Sequence, residues 1–136
     1  MSYIGKGLSR VEDERLITGE GTYIDDLSPL PNIKHAAILR SPYAHAKIIN
    51  IEVTEAMKIP GVIGIVTGTQ IKQLTKPFPV GVNVSQAYYP IAIEKVRFVG
   101  EPVAVVVAED RYIAEDALSK IKVEYEPLEQ VIHILD

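Results

Sequence analysis

Pro102-Val103-Ala104-Val105-Val106-Val107-Ala108-Glu109-Asp110-Arg111-Tyr112-Ile113-Ala114-Glu115-Asp116-Ala117-Leu118-Ser119-Lys120-Ile121-Lys122-Val123-Glu124-Tyr125-Glu126-Pro127 is the stretch that decides the fold class. Residues 103–108 are apolar without interruption, the pattern of a strand covered on both faces. Asp110 follows as a good N-cap, because its carboxylate accepts from an otherwise orphaned amide of the first turn. Ile113, Ala114, Ala117, Leu118 and Ile121 then share one face of a helix, and Asp116 stands four residues before Lys120 as a helpful ion pair. From Ile121 the period changes from helical to alternating. Ile121, Val123 and Tyr125 face one way and Lys122, Glu124 and Glu126 the other, until Pro127 ends the strand. Strand, helix, strand is therefore the C-terminal half.

Working upstream, residues 95–98 open a strand that reaches Gly100-Glu101-Pro102. Residues 75–90 carry Pro77, Pro79, Gly81 and Pro90 among apolar side chains, a long connection of the kind often used as a functional or interface loop. Residues 62–66, Val-Ile-Gly-Ile-Val, form a buried strand rich in β-branched side chains. A short helix precedes them, N-capped by Thr54 and stopped by Pro60-Gly61, and a second short helix is expected around residues 70–74. Residues 44–53 alternate, with Ala44, Ala46, Ile48 and Asn50 on one face and His45, Lys47, Ile49, Ile51 and Val53 on the other. Residues 36–39 are a short apolar run closed by Arg40-Ser41-Pro42. The first 28 residues differ from all of this. Arg10-Val11-Glu12-Asp13-Glu14-Arg15 has no apolar face, and Gly19, Gly21, Asp25, Asp26, Pro29 and Pro31 favour turns and extended backbone. The expected architecture is a single α+β domain over residues 1–136, an extended N-terminal arm (1–28) on a core (29–136) with one mixed sheet system and short helices.

The 136 residues suffice for one core, since a domain of this size buries somewhat under ~70% of the surface its unfolded chain exposes. With no cysteine, there is no disulfide framework, thiolate metal site, cysteine-held cluster or cysteine nucleophile. The net charge is −4 and the basic residues are dispersed among acids, which argues against a nucleic-acid partner. No apolar run is long enough to span a bilayer, and the opening residues lack the apolar stretch of a signal peptide, so no membrane partner and a cytoplasmic location are expected.

Candidate chemistry is sparse. His35, His45 and His133 have no metal-ligand spacing, and His45 suits a structural hydrogen bond near a strand start. Gly5-Lys6-Gly7, Gly19-Glu20-Gly21 and Gly64 to Gly68 read as turns, because none follows a strand in the spacing that cradles phosphates. Glu12, Asp13, Glu14, Asp25 and Asp26 are sequence neighbours amid arginines, a solvated or salt-bridged arm in place of two carboxyls facing each other across a cleft. Ser41 and Ser85 lack the histidine and acid that would activate a nucleophile. Phe78, Tyr88 and Tyr89 either anchor their loop to the core or serve as interface anchors. Residue chemistry alone thus stops at a mixed domain with an unusual arm and an apolar loop.

Three segments carry a resemblance. Residues 5–26 hold Arg10-Val11-Glu12-Asp13, then Thr18-Gly19-Glu20-Gly21 and Tyr23-Ile24-Asp25-Asp26. Residues 40–48 read Arg-Ser-Pro-Tyr-Ala-His-Ala-Lys-Ile, with Pro60-Gly61-Val62 downstream. Residues 96–104 read Val-Arg-Phe-Val-Gly-Glu-Pro-Val-Ala, followed by Tyr125-Glu126-Pro127-Leu128. In this order they resemble the opening domain of molybdenum hydroxylase large subunits, the carbon monoxide dehydrogenase, aldehyde oxidase and xanthine dehydrogenase group. The resemblance implies an α/β hammerhead fold. It further implies an assembled enzyme that binds molybdopterin, commonly in its cytosine dinucleotide form, and passes electrons to iron–sulfur and flavin subunits. The family's pterin-binding loops and active-site glutamate lie outside this domain, so no catalytic, cofactor-binding or metal residue carries over and no cofactor is expected on this chain alone. The expected role is structural: contact with the remaining molybdopterin-binding domains and partner subunits through Arg10, Asp13, Arg15, Asp25, Arg40, Tyr43, His45, Phe78, Tyr88 and Tyr89. The rival reading is a free-standing interaction or assembly protein reusing the fold.

Overall fold

The computed structural model describes residues 3–27, 31–79, 81 and 87–133, with the side chains of Asp25 and Leu27 left aside. Pro29, Ser85 and most of the tip of the 75–90 connection fall outside the described residues. The chain divides into two compact units, Met1–Ile33 and Lys34–Asp136.

In the larger unit six strands form two three-stranded sheets, in place of the one sheet system the sequence suggests. The first has the order β1 (His35–Arg40), β5 (Pro102–Ala108), β3 (Val62–Thr67); the second has β4 (Lys95–Val96), β2 (Ala46–Glu52), β6 (Lys122–Pro127). Every neighbouring pair is antiparallel. β5 is central because it is the apolar strand: Val103, Ala104, Val106 and Ala108 are all fully buried. It pairs with β1 from His35↔Ala108 to Arg40↔Pro102 and with β3 from Val62↔Ala108 to Thr67↔Ala104.

Helix α4 (Arg111–Leu118) packs over β1 and β5. Small residues make this approach close: Ala104, Ala108, Ala114 and Ala117 share one buried cluster with Ile65 and Ile121. The helix starts where the cap chemistry requires, with the Asp110 carboxylate accepting from the Tyr112 amide at 2.7 Å. Asp110→Ala is expected to lower the stability by about 1 kcal/mol, read as a shift of the urea midpoint with unchanged slope. The Asp116–Lys120 pair does not form; Leu118 is the last helical residue, so Lys120 lies past the turn that would have carried it alongside Asp116. Gly61 has φ +91° in the turn before β3, and an added Cβ would stand 2.7 Å from Ile113 Cδ1.

Three local expectations change. β2 carries a register shift between Ile48 and Asn50. The bulge moves Ile51 onto the covered face with Ala46 and Ile48, while Ile49 is 53% exposed. Thr54 is the first helical residue of α2 (Thr54–Met57), not its cap; the cap position is Val53. Lys95–Val96 alone is strand, because residues 97–101 fold into a tight turn. The second short helix, α3, runs Gly68–Leu74 behind a capping box of Thr67 and Gln70.

The smaller unit is less extended than the composition predicts. Asp13–Ile17 is a short helix, α1, and Ile24–Leu27 a 3-10 turn. The acids at 13–14 sit in the first turn of α1, where the helix dipole favours them. Asp13 accepts from the Arg10 amide and pairs with Arg10 Nε, both at 3.0 Å. α1 ends at a turn through Gly19, whose φ is +79°.

Candidate functional site

The residues that chemistry would single out meet around Glu101, at the head of β5. Its side chain is buried although charged. One carboxylate oxygen, Oε2, accepts from the Arg97 amide; the other lies 3.8 Å from Arg97 Nη1. Arg97 Nη1 also donates to the Lys95 carbonyl at 3.3 Å. Arg97 Nε is buried with no hydrogen-bond partner among the described residues, so the guanidinium is only partly satisfied.

This pair holds a five-residue turn, 97–101, from inside, and β1 holds it from outside. The Gly100 amide donates to the Ser41 carbonyl at 2.8 Å and the Ser41 amide to the Glu101 carbonyl at 2.9 Å. Arg40 Nη1 donates to the Gly100 carbonyl at 2.9 Å. Gly100 takes φ +91°, a conformation that side-chain-bearing residues rarely adopt. Ser41 is buried, and its hydroxyl donates to the Tyr43 carbonyl and accepts from the Tyr43 amide, each at 3.0 Å. It is a structural serine.

Of the residues named from sequence, Arg40, Tyr43 and His45 come together beside this turn. The Tyr43 and Tyr125 rings lie 5.0 Å apart at a tilt of 47°, a favourable aromatic geometry. His45 Nδ1 lies 2.6 Å from the Glu129 carbonyl; a carbonyl only accepts, so Nδ1 carries the proton of this bond. The Leu128 amide donates to the His45 carbonyl at 2.9 Å, which ties the segment after β6 to the start of β2. The histidine thus has the structural hydrogen bond its position suggests. Phe78 and Tyr88 form an isolated antiparallel bridge, the Phe78 amide donating to the Tyr88 carbonyl at 2.7 Å, at the neck of the proline-rich connection. Phe78 is 52% exposed, whereas Tyr88 and Tyr89 are half-buried. Arg10, Asp13 and Arg15 belong to the smaller unit, as does Asp25, whose side chain lies outside the described residues.

Two clefts flank the Arg97–Glu101 pair. One, of about 380 Å³, is lined by Lys72, Tyr89, residues 91–95, Arg97 and Glu101. The other, of about 790 Å³, is lined by His45, Lys95, Arg97, Phe98, Val99 and residues 129–132. Arg97 and Glu101 entered the sequence reading only within the 96–104 segment and Lys95 only as a strand start; none was named as a site residue. Their signal was a glutamate placed directly before the apolar strand with a base four residues earlier, since a charge at such a place is tolerated only when paired.

Burial pushes the Tyr125 phenol above its ordinary 10.0, with hydrogen bonding to the Ser41 side chain opposing and the neighbouring Tyr43 adding to the rise. A raised folded-state value means that the folded protein holds this proton more tightly than the unfolded chain. The associated stability is present below pH 10.0 and falls as pH rises through the folded value. Tyr125→Phe is expected to flatten the loss of stability above about pH 10, measured as urea midpoints against pH; an unchanged slope would remove Tyr125 from that account.

With the geometry in view, comparison with known proteins is direct. The family model described as the aldehyde oxidase and xanthine dehydrogenase a/b hammerhead domain matches residues 18–129. The carbon monoxide dehydrogenase large chain of Afipia carboxidovorans is 42% identical over 120 residues, 88% of this chain and 14% of that one. Quinoline 2-oxidoreductase from Pseudomonas putida 86 has the same fold with a TM-score of 0.80 at 45% identity, over 93% of this chain and 16% of that chain. A Cu,Mo-CO dehydrogenase matches at 0.79 and 38%, over 95% of this chain and 16% of that one. The chain therefore spans only 14–16% of the length of these relatives. With a family model covering most of its length and oxidoreductases at these identities around it, the chain belongs to the aldehyde oxidase and xanthine dehydrogenase a/b hammerhead family.

Proposed function

We propose that this chain acts as the N-terminal structural and assembly domain of a molybdopterin-dependent oxidoreductase large subunit of the aldehyde- or carbon monoxide-oxidising type. In this reading residues 1–136 work as one hammerhead unit, with 1–28 as an arm. The partners are the remaining molybdopterin-binding domains of the large subunit and its iron–sulfur and flavin subunits, in the cytoplasm, with no nucleic acid and no membrane. Among the described residues no helix is long and apolar enough to cross a bilayer.

The cofactor, in its cytosine dinucleotide form, belongs to the assembled enzyme. Among the described residues no three of His, Cys, Asp and Glu are grouped to hold a metal ion. No chemical step is assigned to this chain's residues.

The observation that carries the assembly role is the apolar surface of the described residues between 3 and 27. Val11 is 95% exposed, Ile17 85%, Ile24 86% and Tyr23 63%, and α1 has no buried residue. A segment so rich in uncovered apolar side chains gains order by docking. Arg10, Asp13, Arg15 and Asp25 would meet partners from the arm, and Arg40, Tyr43, His45, Phe78, Tyr88 and Tyr89 from the core. Amide hydrogen exchange tests this. In the isolated chain residues 3–27 are expected to exchange without protection, and in the purified enzyme to slow by at least about a hundredfold, the signature of a docked segment. Strong protection of the arm in the isolated chain would contradict the assignment.

A further inference from the structure

We propose that the cleft between Phe98-Val99 and Val131-Ile132 is the seat of one extended polypeptide segment from a neighbouring domain or subunit, anchored by a carboxylate on Lys95 and Arg97. The proposal rests on the assembly reading above and adds to it the surface and the chemistry of what it binds.

The walls of this cleft are apolar and open to solvent. Phe98 is 44% exposed, Val99 64%, Val131 77% and Ile132 72%. Lys95 and Arg97 also line the cleft, with Glu129 as the acid of the lining. Lys95 has no carboxylate partner among the described residues. Arg97 shares Glu101 at 3.8 Å and keeps 27% of its side-chain surface exposed; its Nε, without a hydrogen-bond partner among the described residues, is buried and does not open on the cleft. Two acids are near. Glu101 is buried and already committed to the Arg97 amide. Glu129 lines the cleft, its carbonyl accepts from His45, and its carboxylate does not pair with Lys95. The charge left to complement is Lys95 together with the exposed part of the Arg97 guanidinium, and an acidic side chain between apolar neighbours supplies it.

The wall that meets this segment is also built in advance. Phe98 and Val99 sit at the tip of the turn that Glu101, Ser41 and Arg40 hold by the hydrogen bonds described above. A tip already fixed loses little freedom on binding, so more of the contact energy appears as affinity. The desolvated ion pair sets register, and the apolar walls supply area.

The test is zero-length carbodiimide cross-linking of the enzyme purified through this chain, followed by peptide mass spectrometry. The reagent joins an ammonium to a carboxylate only when they touch. Lys95 is expected to be linked to an Asp or Glu flanked by apolar residues and lying outside residues 1–136. Lys95→Glu is expected to weaken the association roughly thirtyfold or more, the low end for breaking a desolvated charge pair, without moving the melting temperature of the isolated chain. Lysine placed at the linked acid restores it. Lys95 left unlinked in an intact assembly, or linked only to Glu129 or another acid of its own domain, overturns this proposal and leaves the assembly reading standing. A chain that purifies with no molybdopterin-binding sequence, either in the same polypeptide or in a partner, overturns both.

Discussion

Gly68→Ala is expected to cost about 3 kcal/mol and to lower the melting temperature by roughly 10 °C, the largest effect of any single methyl group in the fold. Gly68 is the first residue of α3, at the end of β3. A Cβ there would stand 2.1 Å from the Ala92 carbonyl oxygen and 2.7 Å from Ile93 Cα. Both are main-chain atoms, and Ala92 is itself held, its amide donating to the Pro102 carbonyl at 2.8 Å. No rotamer can relieve such a contact, so either α3 or the 91–93 segment must shift. Gly64, four residues earlier, is the internal control, because nothing lies within 4 Å of a Cβ built on it. Gly64→Ala should stay within about 0.5 kcal/mol of the parent. Equal melting temperatures for the two variants would mean that α3 does not approach Ala92 in this way.

Glu101→Ala is expected to cost about 3 kcal/mol, because it removes the acceptor of a buried amide and the counter-charge of Arg97 together. The figure sits at the low end for a broken buried pair, since the Arg97 side chain keeps 27% of its surface in water. Glu101→Gln retains an oxygen for the Arg97 amide and should recover most of the loss, leaving a deficit of about 1 kcal/mol. Denaturant midpoints separate the two variants. If both lost the same amount, the charge would be the determinant and the amide bond irrelevant; if neither lost stability, the turn would be held by the β1 contacts alone. Because this turn carries Phe98 and Val99, Glu101→Ala is also expected to weaken assembly, through position and not through contact.

Sequence legibility followed the length of the pattern. β5 and α4 were readable because six consecutive apolar residues, a capping aspartate and a clear helical face leave few alternatives; the observed elements, Pro102–Ala108 and Arg111–Leu118, agree with that reading. β2 was readable as a strand but not in its facing, since a single bulge between Ile48 and Asn50 reverses everything after it. The division into two sheets was not legible at all. Which strands become neighbours depends on long-range pairing such as Lys47 with Glu126, which also meet as an ion pair at 3.2 Å. The arm shows the opposite limit: its composition signalled a segment without a core, and none of its described side chains is buried, yet Asp13 and Arg10 organise a helical turn from purely local bonds.

The candidate site was half legible. Arg40, Tyr43 and His45 were named as interface residues within the 40–48 motif; Arg40 bonds the 97–101 turn at Gly100, while Tyr43 meets Tyr125 and His45 meets the Glu129 carbonyl. Glu101 did not stand out, because a glutamate between glycine and proline reads as a turn residue. Only its burial shows that it organises the place. The Arg97–Glu101 spacing would have been a helical pair in a helix; here the turn brings the carboxylate back to the Arg97 amide. That chemistry belongs to backbone geometry, which side-chain spacing does not encode.

The most direct test of the central claim is to recover the tagged chain from its native cell extract and assay molybdenum in the eluate against protein. Recovery at near-equal stoichiometry with molybdopterin-binding sequence, in the same polypeptide or in a partner chain, together with bound molybdenum, is the result this account predicts. A chain that elutes alone and free of molybdenum would contradict it and leave the family likeness as ancestry without the enzyme.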